Sequence, residues 1–199
     1  MGTRSRWTAV NAKCDYPDLS LHGARSLTYT TAPHENNLKV VGHPTAGVWL
    51  GTQASDLDFF IYLEEVDRDG VSSYVTEGQL RASHRQLGTA PFKNLGLPFP
   101  SHLKSDLRPI RVGSPVELVF ALLPTAHEFL RGNRIRISVG CADADNFETT
   151  VLDPAPKVEL LRGSAKSSLV ELPIVMTATD SNRDEQHVLE APDRAMAKV

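Results

Sequence analysis

The chain has 199 residues, of which 41% are hydrophobic and 23% are charged, and its formal net charge is -3. These values are typical of one globular domain that needs no disulfide or metal to fold, and they imply no positive surface for nucleic acid. No stretch is long and apolar enough to span a bilayer, and the first residues lack the apolar core of a signal peptide. The sequence therefore predicts a cytoplasmic protein that contacts neither nucleic acid nor membrane.

Alternation of apolar and polar side chains every second residue recurs along the chain, whereas helical periodicity is almost absent. Strands are predicted over residues 25–31, 38–42, 47–53, 58–66, 71–76, 80–85, 116–122, 135–139, 157–162 and 168–175. Apolar residues occupy both faces of segment 58–66, which indicates a central strand covered on each side. Asp69-Gly70 then predicts a hairpin. So many short strands indicate an all-β fold, an antiparallel sandwich or barrel.

Two segments between these strands differ from the alternating pattern. Residues 86–114 contain four prolines and read as one long connection, which we expect to pack on the surface or against a partner. Thr125 and Glu128 have the spacing of a capping box, and Gly132 could end a helix, so one helical turn is predicted there.

The two ends of the chain lack the alternating apolar residues from which a hydrophobic core could form. Residues 1–24 are predicted to be an N-terminal extension of a sandwich that covers residues 25–176. Residues 177–199 are polar and predict a mobile tail or one marginal helix.

The sequence contains no assembled catalytic or metal site. The GxSxG motif of serine hydrolases is absent, and Ser83 and His84 would point to opposite faces of a predicted strand. The histidines have no HxH or HxxxH spacing, although His84 and His102 could meet in space. Glu64 and Glu65 also face opposite ways, which argues against a carboxylate dyad. We predict no catalytic residue, no metal ligand and no cofactor.

The two cysteines, Cys14 and Cys141, belong to no CxxC motif. Two reduced thiols are the simpler interpretation, and a single disulfide is the alternative. Trp49 is interpreted as a core residue. Trp7 and Tyr16 precede the first strand, and they either dock on the sandwich or face another domain.

Several motifs between residues 25 and 175 resemble, in order and spacing, the C-terminal domain of one hydrolase family. The motifs are LTYTTAP from Leu27, LKVVGHP from Leu38, EGQLRASHR from Glu77, LLPTA from Leu122 and RIR from Arg134. The family comprises X-prolyl dipeptidyl-peptidases, cocaine-esterase-like (CocE/NonD) hydrolases and α-amino-acid ester hydrolases. The resemblance implies an antiparallel jelly-roll β-sandwich of the galactose-binding-like type.

In that family the Ser-Asp-His triad lies in a preceding α/β-hydrolase domain, and the sandwich packs on it and helps to wall the substrate cleft. No segment of this chain matches the catalytic domain, so no triad residue can be transferred. The resemblance implies a non-catalytic domain whose partner is an α/β-hydrolase domain or chain. The candidate docking residues are Trp7, Tyr16, Phe92 and Phe99.

The alternative is a free-standing module that binds carbohydrate or protein, and fold analogy is its warrant. Such sites use exposed aromatic side chains on loops. The aromatic residues available in the predicted loops are Phe92, Phe99 and Phe147.

Overall fold

The computed structural model describes residues 26–143, 147–148 and 155–175, together with residues 19 and 196–197. The strands are β1 (Leu27–Thr30), β2 (Leu38–Gly42), β3 (Thr45–Thr52), β4 (Asp58–Val66), β5 (Ser72–Arg81), β6 (Val116–Ala121), β7 (Thr125–Phe129), β8 (Arg134–Gly140), β9 (Val158–Gly163), β10 (Lys166–Ser167), β11 (Leu169–Glu171), β12 (Ile174–Val175) and β13 (Met196–Ala197). Within these residues the helices are two short 3₁₀ segments, Ala82–His84 and Lys104–Asp106. No helix within these ranges has the length and apolar character needed to traverse a bilayer. The described chain is an antiparallel β-sandwich, as the sequence predicts.

The first sheet has the strand order β1-β8-β4-β5. Its central strand β4 is covered on both faces, which confirms the sequence prediction. Phe59 and Ile61 belong to the core between the sheets. Phe60 points the other way and lies against Phe147, with 5.1 Å between the ring centroids. Phe147 is therefore a cover for β4 and not an open platform for a ligand.

The turn between β4 and β5 is the hairpin that Asp69-Gly70 predicts. The Asp67 carboxylate accepts hydrogen bonds from the N–H groups of Asp69 and Val71, both at 2.9 Å. Gly70 has φ +89°, a left-handed conformation that glycine adopts without steric cost. The acidic run at this point is thus a strand end and a turn tip.

The second layer is built around β3, which pairs with β6 along one edge and with β9 and β11 along the other. A further sheet of order β12-β2-β7 continues this layer, because β2 leads into β3, β6 into β7 and β11 into β12. Each of these three junctions contains a proline, namely Pro44, Pro124 and Pro173. Proline has no N–H to donate to a strand ladder, so the layer is interrupted along one line.

Backbone hydrogen bonds connect the β2–β3 junction to the β6–β7 junction, and the β6–β7 junction to β5 of the first sheet. The N–H of Leu122 donates to the carbonyl of Pro44 at 2.8 Å, within the second layer. The N–H of Leu123 donates to the carbonyl of Glu77 on β5, also at 2.8 Å. The hydroxyl of Thr76 returns a hydrogen bond to the Leu123 carbonyl. We call this junction between β5 and the β6–β7 corner the seam.

The core lies between the two layers and takes alternate residues of each strand. Ala46, Val48 and Leu50 of β3 point into it. Trp49 therefore points outward, and the prediction that it is a core residue is wrong. Its side chain is half-buried on the outer face of the sheet, and the Lys166 ammonium lies 5.1 Å from its ring centroid.

The helical turn predicted from Thr125, Glu128 and Gly132 is also wrong. Thr125–Phe129 forms β7, which pairs along its whole length with β2. A complete ladder with a neighbouring strand outweighs the local capping signal, and the Glu128 carboxylate instead accepts a hydrogen bond from the Asn37 amide. Gly132 does supply a left-handed turn, with φ +86°.

The predicted strands 71–76 and 80–85 differ from the structure in a simpler way. They are one strand, β5, followed by the 3₁₀ segment Ala82–His84.

The N-terminal extension is described only at Leu19, which is buried and donates its N–H to the Ser72 carbonyl at 3.0 Å. Trp7, Cys14 and Tyr16 lie outside the described residues. The predicted tail, residues 177–199, also lies outside the described residues, apart from β13, which pairs with β11. The jelly-roll connectivity and the domain boundaries stay predictions.

The seam requires glycine at position 78. A Cβ on Gly78 would lie 3.0 Å from the Leu122 Cα, which is backbone and cannot rotate away. We expect Gly78→Ala to lower the free energy of unfolding by about 1–3 kcal/mol, the range for overpacked sites. Urea denaturation measures this, with Gly51→Ala as the matched strand control because no atom of the described residues lies within 4 Å of the place its Cβ would take. Equal stability of the two variants would contradict the steric account.

Candidate functional site

The long connection between β5 and β6 is closed on itself at residues 87–100 and is anchored to the sandwich near its second end. The N–H of Gly88 donates to the Phe99 carbonyl at 2.9 Å, and Leu87 forms a bridge with Pro100. Farther along, the N–H of Ile110 donates to the Ser55 carbonyl at 2.7 Å, and its side chain is buried in the core. The connection is therefore packed on the surface, one of the two outcomes expected from its length.

A cavity of about 460 Å³ lies between this connection and the seam. The walls come from β5, from the β6–β7 corner and from residues 92–99. The polar lining residues are His43, Glu77, Gln79, Lys93 and Asn94. His43 is held by a 3.1 Å hydrogen bond between its Nδ1 and the Leu122 carbonyl. The seam thus forms the floor of the cavity.

The rim of the cavity is apolar and exposed. Phe92 is 61% exposed, Leu95 71% and Leu123 42%. Phe92 stands edge-on to Phe99, with 5.6 Å between the ring centroids. We call Phe92, Leu95, Phe99 and Leu123 the rim patch. The structure thus brings together the two described candidates, Phe92 and Phe99, and adds two leucines that strand and loop patterns did not indicate.

Leu95 has an unfavourable backbone conformation at the tip of the rim. It has φ 58°, in the left-handed region that costs a residue with a Cβ about 1–2 kcal/mol. The turn is held by Asn94, which exchanges hydrogen bonds with Leu97 and accepts one from the N–H of Gly96. Strain of this kind collects at binding sites.

A second polar cluster joins the two sheets at the far end of β4. The Glu65 carboxylate accepts hydrogen bonds from His127 Nε2 at 2.7 Å, from the Leu130 N–H at 2.8 Å and from the Asn133 amide at 2.8 Å. Burial raises the pKa of Glu65, but these hydrogen bonds outweigh it and hold the pKa below its usual value. Burial lowers the pKa of the nearby His34, against the opposing charge of Glu65. The cluster fixes β4 to β7, which is a structural task.

Glu64 faces away from this cluster, as the alternation of a strand predicts. A β-bulge follows Leu63, and the buried Glu64 carboxylate accepts a 2.5 Å hydrogen bond from the Ser72 hydroxyl. Glu64 and Glu65 therefore serve separate networks and form no carboxylate dyad.

His84 and His102 do meet in space, with 5.3 Å between their ring centroids. Burial and the neighbouring His84 lower the pKa of His102, which favours the uncharged form of the His102 imidazole. Within the described ranges, however, no three His, Cys, Asp or Glu side chains gather as a metal site. Two imidazoles alone do not complete the three or four protein ligands of a zinc centre.

Ser83 and Cys141 do not have the surroundings of an activated nucleophile. Ser83 is buried in a 3₁₀ segment, where its N–H donates to Asp56 and its carbonyl accepts from Arg108. Cys141 is a free thiol, and burial, aided by the charge of Asp58, raises its pKa to about 11. At neutral pH this thiol is protonated and a poor nucleophile.

Comparison with known proteins shows which family this chain resembles. Residues 8–162 match the family model described as the X-Pro dipeptidyl-peptidase C-terminal non-catalytic domain. "Putative serine esterase Mb1866c" of Mycobacterium bovis and "Putative serine esterase MT1883" of Mycobacterium tuberculosis are each 38% identical over 179 residues. The match covers 87% of this chain and 28% of each relative. The chain thus spans less than a third of the length of the curated relatives it matches.

Solved structures of low sequence identity share the fold. A CocE/NonD family hydrolase from Staphylococcus aureus has a TM-score of 0.61 at 19% identity, over 76% of this chain and 30% of that chain. An α-amino acid ester hydrolase has a TM-score of 0.63 at 18% identity, over 79% of this chain and 27% of that chain.

The Glu65 cluster predicts a pH dependence of stability. Because its pKa is lower in the folded state, Glu65 stabilises the fold above the ordinary glutamate pKa of about 4.3, and this stabilisation is lost as the pH falls through the folded value. We expect Glu65→Gln to lower the free energy of unfolding at pH 7 by about 1–3 kcal/mol and to reduce its decline below about pH 5. Urea denaturation across pH measures both effects.

Glu128→Gln is the control for this prediction. Glu128 is an exposed carboxylate whose oxygen lies 3.9 Å from the Lys39 ammonium, and such surface pairs contribute about 0–1 kcal/mol. An unchanged acid profile in Glu65→Gln would refute the role assigned to this carboxylate.

Proposed function

Because this chain belongs to the family of X-Pro dipeptidyl-peptidase C-terminal non-catalytic domains, found in CocE/NonD hydrolases, we propose that it serves an α/β-hydrolase domain as its docked β-sandwich. The partner supplies the Ser-Asp-His triad, either on a longer form of the chain or on a separate chain. The sandwich packs on that partner and forms one wall of its substrate cleft.

The rim patch is the observation that carries this proposal. Three large apolar side chains are 42–71% exposed around one cavity, and such patches mark interaction sites. Aromatic and aliphatic side chains beside a pocket are typical anchors of a protein interface, since burial in a partner removes them from water. More than two thirds of each curated relative lies outside the matched segment, which is enough sequence for a separate catalytic domain in those proteins.

The position of the rim patch supports a role in the cleft wall. Residues 92–99 face the seam across the cavity, in a loop that the contacts of Gly88 with Phe99 and of Leu87 with Pro100 close at its base. A segment held in this way can present side chains to a substrate without losing its own conformation. We therefore assign Phe92 and Leu95 to the contact with the hydrolase domain, and Trp7 and Tyr16 stay candidates of the same kind. The folded unit over residues 25–176 and the cytoplasmic location stay predictions within this proposal.

Binding to a hydrolase domain tests the proposal directly. The probe is the Mycobacterium tuberculosis esterase without its matched 179-residue segment, mixed with the full chain. We expect a one-to-one complex in calorimetry. Phe92→Asp and Leu95→Asp should each raise the Kd at least about tenfold, because they place a charge in an apolar contact.

Val112→Asp is the matched control. Val112 is 55% exposed on the same connection but does not line the cavity. Failure to form a complex, or equal weakening by Val112→Asp, would count against docking through the rim patch.

The non-catalytic role predicts no labelling of the isolated chain by a fluorophosphonate, a probe that reacts with activated serines. In a mixture with an active α/β-hydrolase chain, label should appear on that chain only. Labelling of this chain that disappears on substitution of one serine would overturn the non-catalytic assignment.

A further inference from the structure

Two histidines lie at the base of the loop that is closed at residues 87–100. His84 ends the 3₁₀ segment after β5, and His102 follows shortly after Pro100, which forms the bridge with Leu87. The ring centroids of the two imidazoles are 5.3 Å apart, and the ring planes are inclined by 47°. The fold therefore brings together two imidazoles from the two ends of this loop.

Neither of these imidazoles has a hydrogen bond of the kind that holds two other histidines in place. The rings of His43 and His127 are each held by one hydrogen bond, of 3.1 Å and 2.7 Å. The rings of His84 and His102 have no such partner among the described residues, and the Nδ1 atom of His84 is buried. A buried polar atom without a partner is costly and calls for an explanation. Each ring keeps an acceptor nitrogen for a ligand from outside the described chain.

The backbone at His102 is held in an uncommon conformation. Its φ is 56°, in the left-handed region that residues with a Cβ rarely adopt. The Ser101 hydroxyl fixes this turn, because it accepts a hydrogen bond from the Leu103 N–H and donates one to the Asp106 carboxylate. Uncommon backbone conformations of this kind collect at ligand sites. The His102 ring is therefore presented by a defined, hydrogen-bonded turn.

The segment that carries His84 is held as firmly. The Ser83 N–H donates to the Asp56 carboxylate, and the Ser83 carbonyl accepts from the Arg108 N–H, both at 2.8 Å. The Arg85 guanidinium donates to the carbonyls of Ala82 and Arg108. These bonds tie the end of β5 to the connection on the far side of the histidine pair. Ligands on two anchored segments keep their geometry when an ion binds, which favours binding.

The separation of the two rings suits one shared metal ion. Imidazole nitrogens bind divalent transition metals at about 2.0–2.1 Å, so two imidazoles at adjacent positions of one ion have ring centroids about 4.5–5.5 Å apart. The observed 5.3 Å lies in this range. His102 is exposed and His84 is half-buried, so the pair is open to solvent on the His102 side.

The number of ligands indicates which ions fit. Among the described residues no third His, Cys, Asp or Glu side chain joins the pair, whereas structural zinc takes four ligands from the protein. Cu²⁺ and Ni²⁺ accept tetragonal sets of nitrogen and oxygen ligands, in which water can fill the remaining positions. Cu²⁺ is also the divalent first-row ion that nitrogen ligands bind most tightly.

We propose that His84 and His102 form a site for a divalent late transition-metal ion, Cu²⁺ or Ni²⁺, whose other ligands are water molecules. The bound ion joins the end of β5 to the connection just outside the closure of residues 87–100. It thus clamps the base of the loop that carries most of the rim patch. The site does not depend on the proposed docking.

The test titrates the full chain, without an affinity tag, with CuCl₂ and with NiCl₂ at about pH 7.5, where imidazole is neutral. We expect one tight site per chain in calorimetry, with a Kd in the micromolar range or below. His84→Ala should weaken binding at least about tenfold, because one imidazole remains. His187→Ala, which changes a histidine outside the described residues, should leave the affinity unchanged.

His102→Asn separates metal binding from folding. Asparagine adopts the left-handed conformation readily but has no imidazole, so the urea midpoint without metal should stay the same while the affinity falls at least about tenfold. Electron paramagnetic resonance of the Cu²⁺ complex should show coupling to two imidazole nitrogens, and to one in His102→Asn.

Three results would overturn the proposal. They are the absence of saturable binding at about 1 mM metal, an affinity that His102→Asn leaves unchanged, and a Cu²⁺ spectrum with one coupled imidazole in the unsubstituted chain. None of them would bear on docking to a hydrolase domain, which is measured without metal.

Discussion

The interruption of the second layer at three prolines is the constraint on which the functional surface depends. Without the N–H groups that proline lacks, the ladder cannot run straight from β2 into β3 or from β6 into β7. The freed groups at the β6–β7 corner instead bond to β5 of the first sheet through Leu123 and Thr76. The close approach of Leu122 to Gly78 is a consequence, since only a residue without a Cβ allows it.

The seam forms part of the cavity and of its exposed rim. It supplies the floor of the cavity beneath residues 92–99, around which Phe92 and Leu95 are exposed. The face that carries the rim patch is strongly apolar and exposed, which suits contact with a protein domain.

The sequence predicts the parts of this fold that follow from local chemistry. The two-faced apolar pattern of β4 and the Asp69-Gly70 turn are local signals, and both are found in the structure. The segment at Thr125 shows the limit, because pairing with β2, more than 80 residues earlier in the chain, overrides its capping signal. Trp49 shows a second limit. Alternation tells which residues share a face, but the partner strands decide which face is the inner one.

The rim patch was predictable in part. Phe92 and Phe99 stand out as aromatic residues in a proline-rich connection, whereas Leu95 and Leu123 become notable only through exposure and backbone conformation. Exposure and backbone conformation cannot be predicted from the sequence here, since both depend on how the connection folds over the seam.

The central claim is that the rim patch is the surface that meets a hydrolase domain. Hydrogen–deuterium exchange of the full chain, with and without a bound α/β-hydrolase domain, tests it most directly. The account predicts that amides of residues 92–97 and 121–123 become protected in the complex while those of β3 and β9 exchange as before. Protection confined to β3 and β9, with unchanged exchange at residues 92–97, would contradict it.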